Sequence, residues 1–177
     1  MKHRFFAAMT ALAISGTTVF AQGQQPMGGM QPNMMKMGGP LIDVPIVLKD
    51  AKVVFRVDRV APSGDNSFTL QQMSVLSDKF RQMGTDAKVV AVFNGDGGFM
   101  LLNDMAYNEV RKSKEGNPYK AMIATILAKG VEVEECGMTM MREGWTNKQL
   151  LPGVKVNTGA NLRIIDLAQK SYVVLNQ

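Results

Sequence analysis

The sequence predicts an α/β fold, a three-layer sandwich in which helices cover both faces of a mostly parallel five-stranded sheet. Short runs rich in β-branched residues alternate along the chain with segments whose apolar residues recur at helical spacing. One such run, Lys88–Phe93, is apolar over its last five residues, as expected for a strand buried on both faces. Because helical crossovers favour parallel neighbours and right-handed connections, this order of elements predicts the sandwich.

Two segments precede the predicted domain. Residues 1–21 have a basic start and an apolar run from Phe5 to Phe20, and a small residue, Ala21, comes before Gln22. This pattern predicts a signal peptide that is cleaved after Ala21. Glycine and threonine interrupt the run and leave it short for a membrane span, and no later stretch is long and apolar enough for one. We therefore expect a periplasmic or secreted protein with no membrane segment after cleavage.

Residues 22–40 are rich in glutamine, glycine, proline and methionine and show no apolar periodicity. This composition predicts a disordered leader before a domain that spans residues 41–177. The thioethers of the leader also support a second hypothesis, the capture of Cu(I), a soft metal ion that an exported protein can meet. In the alternative interpretation, the methionines of a low-complexity leader are merely tolerated. The candidate copper ligands are Met27, Met30, Met34, Met35 and Met37.

Capping residues and glycines set the boundaries of the predicted elements. Ser67 or Asn66 can cap a helix that Gly84 ends, and Asn117 followed by Pro118 is a favourable helix start. The predicted strands are Ala51–Arg59, Lys88–Phe93, Val131–Glu135, Val154–Asn157 and Tyr172–Leu175. The predicted helices are Phe68–Met83, the start of Phe99–Val110, the segment between Pro118 and Gly130, and Asn161–Lys170.

Apolar patterning also predicts which faces are buried. The helix before Gly130 should bury the stripe of Tyr119, Met122, Ile123, Ile126 and Leu127, and the last helix should face the sheet with Leu162, Ile165 and Ala168. Three glutamates in the strand Val131–Glu135 place it at or near a sheet edge, either solvated or facing another subunit. A loop is expected at Asn94–Gly98, and the polar segment Lys112–Asn117 should be exposed.

Cys136 is the only cysteine, and it follows the predicted strand at its carboxyl end. In parallel sheets ligands bind beyond the carboxyl ends of the strands, and the N–H groups of a following helix favour the thiolate. Glu134, on the same strand face, would raise the thiol pKa, whereas Arg142 and the helical turn would lower it. Since lone cysteines are often small buried hydrophobes, a reactive thiol and an inert one both remain open.

Polar and glycine-rich residues follow the other predicted strands, so parallel strands would bring them to the edge that carries Cys136. Backbone N–H groups in such segments can hold a small anion or a persulfide, although a Gly-Asp-Gly-Gly sequence also makes an ordinary loop. The candidate ligand-binding residues are Asn94, Gly95, Asp96, Gly97, Thr139 and Arg142. Asp58, Arg59 and the segment Asn157–Gly159 lie at the remaining strand exits.

Histidine content and charge exclude several classes of function. The only histidine, His3, is in the predicted signal peptide, so the mature chain has no Ser-His or Cys-His pair and no histidine metal site. Removal of Lys2 and Arg4 lowers the formal net charge from +5 to +3, too little to favour nucleic acid. A single cysteine also cannot form an internal disulfide.

Cys136 with Thr139 three residues later, the run Leu150–Val156 and Gly159 resemble the DsrE/DsrF-like family of sulfur-relay proteins. The resemblance covers nearly all of residues 41–177, and it is also carried by Lys129–Val133, Gln169–Tyr172, Lys52–Phe55 and Lys88–Val92 with Gly95 and Gly97. It implies a parallel α/β sheet, assembly into trimers or hexamers, and a Cys136 that accepts and passes on persulfide sulfur. We expect no cofactor. Many relatives have a histidine where this chain has Asn94.

We therefore predict an exported, sulfurtransferase-like carrier whose Cys136 thiolate attacks a sulfane sulfur, holds it as a persulfide and yields it to another thiol. This role requires a thiol that solvent reaches at the rim of the sheet. The expected partners are a small sulfur species or a thiol protein, together with further copies of the chain. The alternatives are Cu(I) binding through the leader and an oligomeric binding module with an inert cysteine. The cluster Met138, Met140 and Met141 is interpreted as a subunit contact rather than as a soft-metal site with Cys136.

Overall fold

The computed structural model describes residues 39–59 and 67–176. Residues 39–43 belong to a first compact unit and contain no helix or strand, and every element below belongs to a second unit that begins at Val44. The predicted signal peptide, the methionines of the leader and the predicted loop at 61–66 lie outside the described residues. Among the helices that are described, none combines the length and apolar character needed to cross a bilayer.

The second unit is built on a parallel five-stranded sheet of order β4-β3-β2-β1-β5, as the sequence predicts. The strands are β1 (Asp50–Val57), β2 (Asp86–Phe93), β3 (Glu132–Cys136), β4 (Lys155–Asn157) and β5 (Val173–Asn176). The helices are α1 (Phe68–Met83), α2 (Asp104–Arg111), α3 (Lys120–Ala128), α4 (Gly137–Glu143) and α5 (Ala160–Gln169). Two 3-10 helices cover Gly95–Leu101 and Asn147–Gln149.

Alternate side chains of the central strands enter two separate cores. Phe55 and Ala91 belong to the larger core, which α1, α3 and the first 3-10 helix cover. Val54 and Val92 point to the other face, where α5 contributes Leu167. Burial on both faces explains why β1 and β2 carry unbroken apolar runs instead of an apolar and polar alternation.

The boundaries of α1 and the buried stripe of α3 agree with the prediction. Ser67 Oγ accepts a hydrogen bond from the Leu70 N–H, and Gly84 ends α1 in the left-handed conformation, with φ of 69°. Left-handed backbone at a helix end favours glycine because it has no Cβ. The predicted stripe of α3 packs into the larger core, with Tyr119, Ile123 and Ile126 buried and Met122 and Leu127 partly buried.

The glycine-rich segment after β2, predicted to be a loop, is instead the 3-10 helix Gly95–Leu101. Its glycines permit close approach to the sheet. A Cβ at Gly97 would lie 2.3 Å from the carbonyl oxygen of Val57, and one at Gly98 would lie 2.7 Å from Glu135 Oε1. The helix therefore packs directly on the end of β1 and over the side chain of Glu135.

Helix α5 turns a different face to the sheet from the one predicted. Leu162 and Ile165 are 65% and 54% exposed, and Ala168 is exposed as well, whereas Ala160 and Leu167 are buried. Two polar contacts at the sheet fix this rotation. The amide of Ala160 donates to Cys136 Sγ, and the guanidinium of Arg163 pairs with the Glu134 carboxylate on β3 at 2.7 Å.

Strand β3 lies second from the edge, between β2 and the edge strand β4. The expectation that its glutamates are solvated is wrong for two of the three, because Glu134 and Glu135 are 3% and 0% exposed. Arg163 compensates the burial of Glu134. Glu135 points to the opposite face, under the 3-10 helix.

Asn117, predicted to be an exposed helix cap, is buried and hydrogen-bonds to two segments of the chain. Its side-chain amide donates to the carbonyl oxygens of Met100 and Leu102, and its Oδ1 accepts from the Tyr119 N–H at 2.8 Å. Helix α3 accordingly begins only at Lys120. Because these bonds join the end of the 3-10 helix to the start of α3, they stabilise the segment that covers Glu135.

Gly97→Ala should lower the free energy of unfolding by about 1–3 kcal/mol, because the new methyl group would overlap the backbone of β1. Gly159→Ala is the matched control, since its Cβ would meet only Met138 Cγ at an ordinary 3.5 Å and its backbone is extended, with φ of 177°. Urea denaturation followed by circular dichroism measures both variants. Equal stability of the two would contradict the close packing of the 3-10 helix on Val57.

Candidate functional site

The carboxyl ends of four parallel strands meet around Cys136. Cys136 pairs in register with Asn157 of β4, and Gly95, just after β2, donates its N–H to Thr139 Oγ1 at 3.0 Å. The 3-10 helix that follows β2 lies against Val57 at the end of β1. The structure thus brings the segments after β1, β2, β3 and β4 together at one edge of the sheet.

The sulfur of Cys136 lies at the N-termini of two helices. Cys136 is the last residue of β3 and directly precedes α4, and Ala160, the first residue of α5, donates its N–H to Sγ at 3.3 Å. Gly137 allows this convergence, because a Cβ there would lie 2.7 Å from the carbonyl oxygen of Asn157. The positive ends of both helix dipoles therefore face the sulfur, which favours the thiolate.

The pKa of the Cys136 thiol is lower than its ordinary value. Burial by itself would raise this pKa, but the backbone amides of Thr139, Ala160 and Met138 and the hydroxyl of Thr139 together outweigh it. Each of these groups presents a hydrogen toward the sulfur, and a hydrogen that faces an anion stabilises the charged form. The local structure therefore favours a thiolate in spite of the low solvent exposure.

The prediction of a solvent-exposed thiol at the rim is wrong for the single chain. Cys136 is only 5% exposed and packs with the smaller core, beside Val92 and Leu167. A lone buried cysteine in apolar surroundings is normally inert, with a raised pKa. Cys136 differs because one side of its sulfur is apolar while the other faces backbone N–H groups.

The predicted ligand-binding residues do not all reach the sulfur. Thr139 is buried beside it and links it to the glycine-rich segment through the N–H of Gly95. Asn94 is partly buried, and its Oδ1 has no hydrogen-bond partner among the residues described. Asp96 is exposed, and Arg142 forms an exposed ion pair with Glu143, with 2.8 Å between Nε and Oε1. Gly97 has no side chain to offer a ligand, and its role is to let the 3-10 helix pack against Val57.

Glu134 was expected to raise the pKa of Cys136, but the structure pairs it elsewhere. Its carboxylate accepts hydrogen bonds from Arg163 and, at 3.0 Å, from the side-chain amide of Asn157. In turn, the hydrogen bond with Glu134 raises the pKa of Arg163 above its usual range. Asn157 lies at a strand exit, as expected. Arg163 is a functional candidate that the sequence analysis missed, because its proximity to β3 depends on how α5 packs.

An open cleft of about 480 Å³ lies on the α5 side of the sheet, where its lining includes Asn157, the register partner of Cys136, but not Cys136 itself. It is lined by β4 and the start of α5, including Asn157 and Gly159, which flank the residues that contact the sulfur. Apolar Val156 and Leu162 and charged Arg163 also line it. In the described part of the chain, no three His, Cys, Asp or Glu side chains gather as a metal site.

The second residue that the sequence analysis missed is Glu135. Glu135 is fully buried, and this burial is the main reason why the pKa of its carboxyl rises to about 9. The charge of a Cys136 thiolate raises the pKa further, and the Cys136 amide opposes the rise by a smaller amount. Alternation along a strand would have shown that Glu135 faces away from Cys136. Its burial depends on the 3-10 helix, which the sequence analysis took for a loop.

Comparison with known proteins identifies relatives of this fold. The sequence model of the DsrE/DsrF-like family matches residues 52–177. The structure of MTH1491 from Methanobacterium thermoautotrophicum, a protein of unknown function, is similar with a TM-score of 0.56 and 20% identity, and the match covers 72% of this chain and 100% of that one. The ychN protein from E. coli has a TM-score of 0.51 and 18% identity, with 71% and 99% covered. No curated protein matches the sequence.

At these identities the two solved structures show a shared fold and nothing more. The family match adds to this, because it extends from β1 to the last residue of the chain and includes Cys136, Thr139 and Gly159. The parallel sheet implied by the sequence resemblance is also the one observed. The chain therefore belongs to the DsrE/DsrF-like family.

Proposed function

We propose that the protein is a sulfur carrier in which Cys136 accepts a sulfane sulfur as a persulfide and passes it to another thiol. One observation carries this proposal. Amides at the start of two helices converge on the Cys136 sulfur and hold its pKa below the ordinary value even though the residue is buried. Membership of the DsrE/DsrF-like family supports it as well, since the resemblance implies a persulfide-carrying cysteine.

Both transfer steps use the thiolate form of Cys136. In the first, the thiolate attacks the outer sulfur of a donor persulfide, an S–S bond forms to Cys136, the S–S bond of the donor breaks, and the donor leaves as a thiolate. In the second, an acceptor thiolate attacks the outer sulfur and Cys136 leaves as a thiolate. Sulfur is transferred with no external oxidant or reductant. Groups that stabilise the Cys136 thiolate assist its formation before the first step and its departure in the second.

The predicted ligand-binding residues take different parts in this proposal. Gly95 acts through Thr139, whose hydroxyl lies between its N–H and the sulfur. The Oδ1 of Asn94 is buried without a partner among the described residues, so Asn94 has no assigned part in the transfer. Asp96 and Arg142, which are exposed, would meet only the surface of a partner.

Cys136 does not meet the requirement for a thiol that solvent reaches at the rim, so the proposal needs either a small donor or a local opening of the site. Because Cys136 is only 5% exposed, its sulfur is more accessible to a small sulfur species than to the rigid surface of a folded protein. Gly159 lines the cleft and directly precedes Ala160, whose amide contacts the sulfur, so a small donor would approach from that side. Transfer to a thiol protein would require the start of α4 or α5 to open locally, as segments at functional sites often do.

Incubation with a small persulfide donor should add the mass of one sulfur atom to the wild-type protein and nothing to Cys136→Ser, because no other cysteine is present. Intact-protein mass spectrometry, before and after reduction, measures the adduct. Thr125→Val, a change on the exposed face of α3, controls for handling and should behave as the wild type. If the thiol of the native wild-type protein can be alkylated but the protein never gains sulfur from the donor, the carrier proposal is wrong.

The pH dependence of Cys136 alkylation tests the depressed pKa. Because a lowered pKa means that the thiolate forms at lower pH, the rate should reach half its maximum at a lower pH in the native protein than in the urea-unfolded protein. Thr139→Val removes one hydrogen bond to the sulfur and should reduce the rate at pH 7 roughly 2- to 10-fold.

Thr125→Val makes the same substitution where the hydroxyl only contacts the Ala121 carbonyl, so its alkylation profile should match the wild type. Iodoacetamide kinetics followed by mass spectrometry give the rates, and circular dichroism verifies folding. A native midpoint above the unfolded one, or no effect of Thr139→Val, would contradict the assigned role of the amides and hydroxyl.

Export and self-assembly complete the proposal. The signal peptide at residues 1–21 is an expectation from the sequence, and assembly into trimers or hexamers is an expectation from the family resemblance. Exposed apolar side chains on α4, β4 and α5 support self-association, since contiguous apolar surface favours protein contacts. They are Met138, Met141, Val156, Leu162 and Ile165. Met140, predicted to share this contact, is instead buried in the larger core.

Protein recovered from the periplasm or the medium should begin at Gln22, and native mass spectrometry of that sample should show trimers or hexamers. Leu162→Ser should shift the sample toward monomers, because it removes apolar area from this surface. Asn161→Ala, on the same exposed turn of α5, is the matched control. A chain that retains residues 1–21 and is monomeric would contradict both expectations.

A further inference from the structure

Glu135 is a fully buried carboxyl group with no hydrogen-bond partner for either oxygen among the residues described. It sits under the 3-10 helix, where the missing side chain of Gly98 leaves the space that the carboxyl occupies. An ionised carboxylate in such a place lacks both water and a counter-ion, and this strongly disfavours the charged form. The geometry therefore favours the protonated, uncharged form of Glu135.

The charged groups around Glu135 offer it no counter-ion. On its own strand, Glu132 and Glu134 are paired with Lys155 and Arg163. Along the described chain, none of the charged side chains on the elements packed against β3 is ion-paired to Glu135. They are Asp86 and Lys88 on β2, Asp96 on the 3-10 helix, Arg142 and Glu143 on α4, Lys155 on β4, and Arg163 and Asp166 on α5.

We propose that Glu135 and Cys136 share a single negative charge, which the sulfur carries while Glu135 keeps its proton. The two residues are adjacent in β3 and both are buried, on opposite faces of the same strand end. The amides that lower the pKa of Cys136 face the sulfur, whereas the amide that acts on the Glu135 carboxyl, that of Cys136, lies outside hydrogen-bond geometry. Glu135 is thus a positioning residue that acts on the charge of the site and does not touch the sulfur donor.

The direction of each pKa shift is consistent with this arrangement. Burial raises the pKa of Glu135 to about 9, and the charge of the Cys136 thiolate adds to the rise. Cys136, in contrast, has a pKa below its ordinary value because N–H groups outweigh its burial. Between these two pKa values, the thiolate and the neutral carboxyl are the stable pair.

An uncharged Glu135 matters for sulfur transfer, so this part of the inference rests on the proposed function. The donor leaves as a thiolate in the first step and the acceptor attacks as a thiolate in the second, so each step brings an anion close to Cys136. An ionised Glu135 beside it, with no counter-ion and little water, would repel that anion. By keeping its proton, Glu135 limits the site to the one charge that the chemistry needs.

Infrared spectroscopy of protein labelled with carboxyl-¹³C glutamate tests the shared charge directly. The wild type should show a protonated glutamic acid band at pH 7 that disappears near pH 9. Glu135→Gln should abolish the band, which assigns it. In Cys136→Ser the midpoint of disappearance should shift to lower pH, because the thiolate that opposes ionisation is gone.

Wild-type protein whose thiol is blocked with neutral iodoacetamide should show the same downward shift, and this comparison remains valid even if Glu135→Gln does not fold. No protonated band at pH 7, or equal midpoints in untreated and blocked protein, would overturn the inference. The result is independent of persulfide formation. A protein that shows the shift but never gains sulfur would refute the carrier proposal and leave the shared charge standing.

Discussion

The hydrogen bond from the amide of Ala160 to the sulfur of Cys136 is the contact on which the site depends. It joins the end of β3 to the first residue of α5 and so sets the position of that helix on the sheet. Arg163, one turn later in α5, then reaches Glu134 and fixes the rotation. The glycine at 137 makes the contact sterically feasible, because any side chain there would strike the end of β4. A single thiol therefore organises both flanking helices.

The sequence predicted the sheet well because local signals dominate there. Apolar runs buried on both faces and the caps at Ser67 and Gly84 are properties of a few neighbouring residues. The face of α5 could not be predicted in the same way. Leu162 and Ile165 are the more apolar residues of the helix, yet an ion pair to another element turns them outward. Tertiary contacts of this kind leave no periodic signal in the chain.

The site was predicted in outline for the same reason. Parallel strands necessarily bring their carboxyl ends together, so Cys136, Gly95 and Thr139 could be grouped from the order of elements. Exposure and charge depend on packing that the order does not determine. The glycines of Asn94–Gly98 predict a loop, whereas this segment begins the 3-10 helix that buries Glu135. Glycine permits both tight packing and flexible turns, so its presence does not distinguish the two. A glycine in the sequence does not show which segment packs against it. The contacts of Gly97 with Val57 and of Gly98 with Glu135 become visible only in the folded chain.

Burial and reactivity are compatible at Cys136 because the surroundings of its sulfur are asymmetric. In a region of low dielectric, an N–H dipole acts on a charge more strongly than it does in water, so a few amides can outweigh the loss of hydration. Cysteine sites that rely on an imidazole obtain their thiolate from a nearby base, and the only histidine here is His3, far from Cys136 in sequence. In the proposed transfer, the backbone amides that lower the thiol pKa take the place of such a base. Shielding the sulfur from bulk solvent also limits its oxidation, since susceptibility follows thiolate character and exposure together. The position that looks inert from its exposure alone thus combines a lowered thiol pKa with protection from bulk solvent.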